Sequence, residues 1–228
     1  MSDIASNISG VMEEVRQAAV RVNRDVSDIG IVAVTKTVPT EGVREAVSGG
    51  LCVLGENRVQ ELTAKYPLIK GAEWHLIGHL QRNKVKYIAD KVSLIHSLDS
   101  LPLAKEINRR MAALEKKMDV LIQVNIAEDH DKYGIKTNET ADFIDTVRNY
   151  QGIKIMGLMT IGPYTPDPEE MRPVFSQLRL LAEKMKTIGF PGVEIKHLSM
   201  GMSNDYKVAI EEGATLVRIG SAIFGQRK

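Results

Sequence analysis

The sequence has a single cysteine, few aromatic residues, almost no net charge and no long apolar run. Of its 228 residues only Cys52 carries a thiol, so no disulfide forms within the chain, which is typical of a reducing compartment. Thirty Lys and Arg residues against 29 Asp and Glu residues give a formal net charge of +1, and aromatic residues make up 5%. This balance argues against nucleic-acid binding, which needs a basic face and stacking rings.

The sequence pattern also predicts neither a membrane span nor a signal peptide. No segment reaches the roughly 18 consecutive apolar residues of a transmembrane helix, and the N-terminus has no apolar signal-peptide core. Instead, apolar residues recur at three- and four-residue steps from Ile4 to Val22, which predicts an amphipathic surface helix. We therefore expect a cytoplasmic protein.

After this helix, eight short apolar runs alternate with helical patterns. The runs are apolar on both faces, as parallel strands covered by helices are, and predict an α/β fold, a (β/α)₈ TIM barrel with an extra N-terminal helix. A doubly wound open sheet is the alternative, but no Gly-rich dinucleotide loop follows the first run. No linker divides the chain, so we expect residues 1–228 to form one domain. The predicted strands are 29–36, 51–56, 74–78, 92–97, 120–125, 153–160, 193–199 and 215–220.

Lys36 ends the first predicted strand, and the chemistry of such barrels lies at the carboxyl ends of the strands. The apolar residues before it suggest an enclosed side chain, and a desolvated lysine has a lowered pKa and forms an imine with a carbonyl compound. The alternative is an ion pair between Lys36 and Glu56 at the rim of the barrel. Position alone leaves both interpretations open.

Small and hydroxyl-bearing residues follow the last two strands. Ser199, Gly201 and Ser203 lie at one strand end, and Gly220 and Ser221 lie at the other. Backbone N–H groups, hydroxyls and two helix starts, one near Ser203, favour a phosphate site there. The alternative is that Ser203 caps a helix and the glycines only form tight turns.

Arg218 lies within the last apolar run and must be paired or contact a ligand, because an isolated buried charge is prohibitively costly. Its closeness to the predicted phosphate site favours a ligand. An imine-forming lysine beside a phosphate site allows two chemistries. One is a Schiff-base aldolase acting on sugar phosphates, and the other is pyridoxal 5′-phosphate (PLP) held by the lysine.

Five segments of the chain together resemble the PLP-binding homeostasis proteins. This family shares the barrel of the alanine racemase N-terminal domain, known as fold type III. The resemblance runs from about residue 5 to residue 227, with the motifs in the expected order. The segments are AVTKT at 33–37, GENRVQE at 55–61, WHLIGHLQRNK at 74–84, SMGMS at 199–203 and VRIGSAIFG at 217–225.

The resemblance implies a role for nine residues, a cofactor and a function. Lys36 would hold PLP as a Schiff base, and Arg218 would face the pyridine nitrogen. Asn57 would lie near the ring or its 3-hydroxyl, with Met200 packed nearby. The family implies intracellular PLP homeostasis and amino-acid balance, a monomer, and PLP-dependent apo-enzymes as partners. The implied phosphate cradle consists of Ser199, Gly201, Ser203, Gly220 and Ser221.

An arginine opposite the pyridine nitrogen also bears on turnover. Arginine keeps its proton at working pH, so that nitrogen stays unprotonated and the ring is a poorer electron sink. We expect little or no turnover and no enzyme. The alternative is a PLP-dependent amino-acid racemase, which needs acid/base groups on both faces of the cofactor. We expect His79 to be structural, and the histidine spacing predicts no metal site.

Overall fold

The computed structural model describes residues 3–129, 132–163 and 165–226. Eight parallel strands, each paired with the next, form a closed barrel. The last strand returns to the first, with Gly30 opposite Leu216 and Ala33 opposite Ile219. This confirms the predicted (β/α)₈ barrel. The strands are β1 (Gly30–Val34), β2 (Val53–Glu56), β3 (Glu73–Leu76), β4 (Leu94–Leu98), β5 (Met118–Gln123), β6 (Ile153–Met159), β7 (His197–Met202) and β8 (Leu216–Ile219).

Helices follow most strands and cover the outside of the barrel. After β3 the structure has a 3₁₀ helix, Arg82–Tyr87, where the sequence pattern predicts a helix at 83–89. The α-helices are α1 (Ile4–Arg21), α2 (Thr40–Ser48), α3 (Val59–Lys65), α4 (Leu101–Ala113), α5 (Thr140–Val147), α6 (Arg172–Ile188), α7 (Tyr206–Glu211) and α8 (Ser221–Phe224).

The predicted N-terminal surface helix is α1, which packs against α2, α7 and α8 beside the seam of β1 and β8. Its apolar face is buried, and the Asn7 side-chain amide donates a hydrogen bond to the Ile223 carbonyl at 2.9 Å. Cys52 precedes β2 and is exposed, although the apolar run around it predicts a small buried residue. Among the described residues no helix is long and apolar enough to cross a membrane.

The seventh strand starts four residues later than predicted. The segment before it follows Gly192, which has a φ of +77°, and reaches β6 through hydrogen bonds from the Glu194 and Lys196 amides rather than as a regular strand. The shift places Ser199 within β7 instead of at its end. Ser199 therefore lies inside the barrel, below its mouth.

The interior of the barrel is only partly apolar. Barrel interiors are usually filled by layers of branched apolar side chains. Here Val32, Leu94 and Leu121 belong to such a cluster. Polar side chains are also buried on the strands, among them His75, His96, Ser199 and Arg218.

Candidate functional site

A cavity of about 460 Å³ opens at the carboxyl ends of the strands. Six of the nine residues implied by the family resemblance line it, which places residues from opposite ends of the chain together. Three do not, and nine further residues complete the lining. The six are Lys36, Asn57, Ser203, Arg218, Gly220 and Ser221.

Lys36 lies two residues beyond the end of β1 and is exposed, which corrects the expectation of an enclosed side chain. The alternative, an ion pair between Lys36 and Glu56, is not found among the described residues either. The Glu56 carboxylate accepts hydrogen bonds from the Lys65 amine and the Thr35 hydroxyl, both at 2.7 Å. Burial raises the pKa of Glu56, although both hydrogen bonds act to lower it. Lys36 is therefore left facing the cavity.

The backbone on both sides of Lys36 is held by the buried Lys65 and the half-buried Glu61. The Lys65 amine donates to the Thr35 carbonyl at 2.6 Å and to the Glu61 carboxylate at 3.1 Å. The same carboxylate accepts from the Thr37 amide at 2.7 Å. Thr37 has a φ of +59°, which a β-branched residue adopts only when its surroundings enforce it. Lys65 and Glu61 thus fix the turn that presents Lys36.

Asn57 brings an unpaired acceptor to the cavity. Its Oδ1 atom is buried and has no hydrogen-bond partner among the described residues. The loop approaches β3 closely because Gly78 has no side chain there; a Cβ atom at Gly78 would overlap the Asn57 carbonyl. Leaving a buried acceptor unpaired costs about 1–3 kcal/mol, so a donor on a bound molecule would offset that cost.

Ser203 joins the ends of β7 and β8. Its hydroxyl accepts hydrogen bonds from the Gly220 amide at 3.0 Å and the Ala222 amide at 3.3 Å. It does not cap a helix, because α7 begins at Tyr206. This corrects the expectation of a helix start near Ser203. The hydroxyl instead holds the turn before α8 at the edge of the cavity.

Ser199, Met200 and Gly201 do not line the cavity. Ser199 and Met200 have no exposed surface, and the Ser199 hydroxyl is engaged inside the barrel. This corrects the expectation that Ser199 contacts a phosphate and that Met200 packs against a ring. Gly201 has a φ of +87°, and a Cβ atom there would lie 2.5 Å from the Ala209 Cβ atom. Its role is to shape the turn that delivers Ser203.

Arg218 places a buried cation beside the cavity. Only 4% of its surface is exposed, and it donates hydrogen bonds to the Ser199 hydroxyl at 2.6 Å and the Thr160 carbonyl at 3.0 Å. Burial lowers its pKa to about 10, opposed by the charge of Asp205, so the guanidinium is protonated at neutral pH. No carboxylate of the described residues forms an ion pair with it.

The sequence reasoning missed Asn204 and Asp205, which follow the SMGMS motif and line the cavity. The Asn204 amide donates to the Thr165 carbonyl at 3.0 Å, which ties this turn to the loop after β6. The Asp205 carboxylate accepts from the Met202 amide at 2.6 Å, and burial raises its pKa. Their polar character directly after a strand-end motif was the available signal.

His79 lies outside this cavity. Its Nδ1 atom is 3.1 Å from the Asp99 carboxylate, and its ring stacks on Tyr133 with centroids 3.7 Å apart. It borders a wider cleft of about 1150 Å³ beside α4 that contains none of the nine implied residues. The polar loop 129–134 lies partly outside the described residues. In the described part of the chain, no group of His, Cys, Asp and Glu side chains could hold a metal ion.

The cavity suits a small anion that carries an aldehyde. Lys36 supplies an amine, Arg218 a permanent cation and Asn57 an unpaired acceptor. The turns at Ser203 and Gly220 supply a hydroxyl and backbone amides close to one another. The residues present therefore fit PLP, which has an aldehyde, a phosphate, a hydroxyl and a ring nitrogen.

Comparisons with solved structures identify the same barrel. PipY of Synechococcus elongatus, solved with PLP bound, is 30% identical, has a TM-score of 0.84, and is matched over 98% of this chain and 100% of that chain. Alanine racemase of Corynebacterium glutamicum has a TM-score of 0.72 at 15% identity, over 98% of this chain and 61% of that chain, which shows the fold alone.

Sequence comparisons agree. The family model described as alanine racemase, N-terminal domain, matches residues 11–228. The pyridoxal phosphate homeostasis protein of Aquifex aeolicus is 45% identical over 97% of both chains. That of Escherichia coli strain K12 is 36% identical over 100% of this chain and 98% of the other. The chain therefore belongs to the family of pyridoxal phosphate homeostasis proteins, within the alanine racemase N-terminal domain family.

Proposed function

We propose that this protein binds PLP in the strand-end cavity, with Lys36 as its covalent ligand, and serves PLP homeostasis without turnover of its own. The observation that carries the proposal is the shared cavity of an unpaired Lys36 amine and the buried Arg218 cation, closed by the Ser203–Gly220 turn contact. The PLP-bound PipY structure and the names of the curated relatives support it.

Each residue has a role set by its chemistry. The Lys36 amine binds the aldehyde, and the hydroxyls and amides of Ser203 and Ser221 bind the phosphate. Gly220, whose own amide donates to Ser203, lets the phosphate approach closely. The Asn57 Oδ1 atom accepts from the ring hydroxyl. Bound PLP would supply an electron sink for amino-acid chemistry.

The absence of turnover follows from Arg218 and from the small number of titratable side chains that line the cavity. A guanidinium donates a hydrogen bond to the ring nitrogen and does not transfer its proton, so it weakens the electron sink. Racemisation then needs proton carriers on both faces. Among the described residues that line the cavity, the titratable side chains are Lys36, Asp205 and Arg218, and Asp205 is held by the Met202 amide.

The binding proposal is tested by titrating the purified protein with PLP and following the visible absorbance of the lysine-bound form. We expect the band in wild type and not in Lys36→Ala, with both proteins melting at the same temperature. Lys70→Ala, a change at another exposed lysine, is the matched control and should keep the band. A band that survives in Lys36→Ala would assign the cofactor to another lysine.

The racemase alternative is tested with the PLP-loaded protein. Exchange of the α-hydrogen of alanine for solvent deuterium should run no faster than with free PLP. Exchange well above that background, lost in Lys36→Ala, would establish the alternative.

The proposal extends to the role of the protein in the cell. We propose that the protein acts in the cytoplasm as a monomer and exchanges PLP with apo-enzymes. Light scattering of the PLP-loaded protein should give the mass of one 25.2 kDa chain. Transfer of PLP to an apo-enzyme should be faster than its release into buffer, and equal rates would contradict a delivery role.

A further inference from the structure

A line of hydrogen bonds runs through the barrel from its amino-terminal end to the cavity. Ser199 Oγ is 2.9 Å from His96 Nδ1, and His96 Nε2 is 3.0 Å from His75 Nδ1. At the far end, His75 Nε2 is 3.3 Å from the Glu73 carboxylate. At the near end the Arg218 guanidinium donates to Ser199. We call these five residues the barrel relay.

The two end groups of the barrel relay differ in hydrogen-bonding capacity: one has only donors and the other only acceptors. The Arg218 guanidinium has donors and no acceptor, so Ser199 Oγ accepts its hydrogen bond and keeps its own proton for His96. The ionised Glu73 carboxylate has acceptors and no donor. Its oxygen already accepts from the Ser93 hydroxyl at 2.6 Å and is left to accept from His75.

These ends fix the protonation of the two histidines between them. A neutral His75 that donates from Nε2 to Glu73 accepts at Nδ1, which is where His96 Nε2 lies. His96 is completely buried, and burial holds its pKa well below the usual value, reinforced by the charge of Arg218. A neutral His96 that donates from Nε2 accepts at Nδ1, which is where the Ser199 hydroxyl lies. With both histidines neutral, only one direction satisfies every bond.

This direction matters because no carboxylate of the described residues is hydrogen-bonded to the guanidinium, and Asp205 acts on it only through its charge. Arg218 has one other hydrogen bond, to the Thr160 carbonyl, and no ion pair among the described residues. The aligned hydrogen bonds of the relay connect its charge to a carboxylate at the other end of the barrel. Chains of this kind polarise one another in a low-dielectric interior.

We infer that His75 and His96, anchored on Glu73, are positioning residues that hold Ser199 as an acceptor and so fix Arg218 for the ring nitrogen of PLP. This inference rests on the proposed function, because it assigns the purpose of Arg218 to the bound cofactor. None of the three residues lines the cavity. Their effect on the cofactor passes through Ser199.

The relay itself is tested without PLP. Long-range ¹H–¹⁵N spectra of the histidine side chains in the apoprotein distinguish the two neutral tautomers. We expect His75 and His96 both to be neutral and protonated at Nε2 at neutral pH. A His96 protonated at Nδ1 would reverse the Ser199 bond and overturn the inference.

The link to the cofactor is tested with a matched pair of variants. His75→Leu leaves the His96 Nε2–H without an acceptor, whereas His75→Asn places an amide oxygen near the former Nδ1 atom. We expect His75→Leu to weaken PLP binding about three- to tenfold and shift the absorbance of the bound form, and His75→Asn to restore most of both. Thermal melting shows whether each variant is folded.

The outcomes separate the relay from the proposed function. A folded His75→Leu protein with unchanged PLP affinity and spectrum would overturn the positioning role. If His75→Leu does not fold, the PLP affinity of His75→Asn and the histidine tautomers of wild type still test the positioning role. If wild type binds no PLP, the proposed function fails, while the tautomer measurement still tests the relay.

Discussion

At the residue scale, Lys36 owes its position to its neighbours rather than to contacts of its own. Thr35 and Thr37 are both tied to the Lys65 network, and the lysine between them is exposed at the cavity. The sequence placed Lys36 at a strand end correctly. It could not reveal that Glu56 pairs with Lys65, because both lysines follow apolar positions and only the folded helix α3 brings one of them back to β2.

Lys65→Met tests the importance of this network. The substitution leaves the buried Glu56 carboxylate without its cation, and breaking a buried pair in this way costs about 3–5 kcal/mol. We expect a loss of that order in the free energy of unfolding, measured by denaturant titration, and weaker PLP binding. The double variant Glu56→Leu, Lys65→Met should recover stability and not PLP binding. Equal stability of wild type and Lys65→Met would contradict this account.

The lowered pKa of Glu73 predicts that the stability of the fold depends on pH in the acidic range. The hydrogen bonds from His75 and Ser93 lower its pKa from 4.5 to about 2. Because the folded-state pKa is the lower one, its stabilising contribution is complete above pH 4.5 and is lost as the pH falls towards 2. The difference in melting temperature between wild type and Glu73→Gln should therefore shrink over this range. A difference that stays constant or grows on acidification would show that the carboxylate is not stabilised by these bonds.

At the scale of elements, the turn from β7 to α7 determines the shape of the site. Gly201 is the one residue of the SMGMS motif in a left-handed conformation, and it packs against α7. The gathering of small residues at the last two strand ends follows from their positions in the sequence. The position of Ser199 was misjudged because an apolar run does not show where regular pairing begins, and the irregular segment before β7 shifts the strand.

Gly201→Ala tests this turn. A Cβ atom would meet Ala209, and the positive φ strains any side chain, so we expect a loss of about 1–3 kcal/mol in unfolding free energy together with weaker PLP binding. Gly10→Ala is the matched control, since its surroundings are open and it lies within α1; it should be neutral or stabilise by about 0.5–1 kcal/mol. Similar stability of the two variants would contradict the role of the turn.

At the scale of the whole molecule, the closed barrel joins the first and last strands, and with them the two halves of the site. Lys36 follows β1 and Arg218 lies on β8, which are hydrogen-bonded neighbours. Alternation of strand and helix was enough to predict this closure. The hydrogen bonds inside the barrel were not predictable, because a histidine in a strand shows neither its partner nor its tautomer before the register is known.

Closure also predicts cooperative unfolding of one domain, as expected from the sequence. Trp74 is the only tryptophan and is buried on β3, so its fluorescence reports on the barrel, while far-ultraviolet circular dichroism reports mostly on the helices. We expect the two thermal transitions to coincide. Clearly separated midpoints would show that helices and barrel unfold as different units.

The most direct test of the central claim is chemical. Borohydride reduction of the PLP-loaded protein converts an imine into a stable amine, and peptide mapping by mass spectrometry then locates the attached lysine. The account predicts one labelled peptide, with the pyridoxyl group on Lys36. A label on Lys65 or any other lysine, or a PLP-loaded protein that acquires no label, would contradict it.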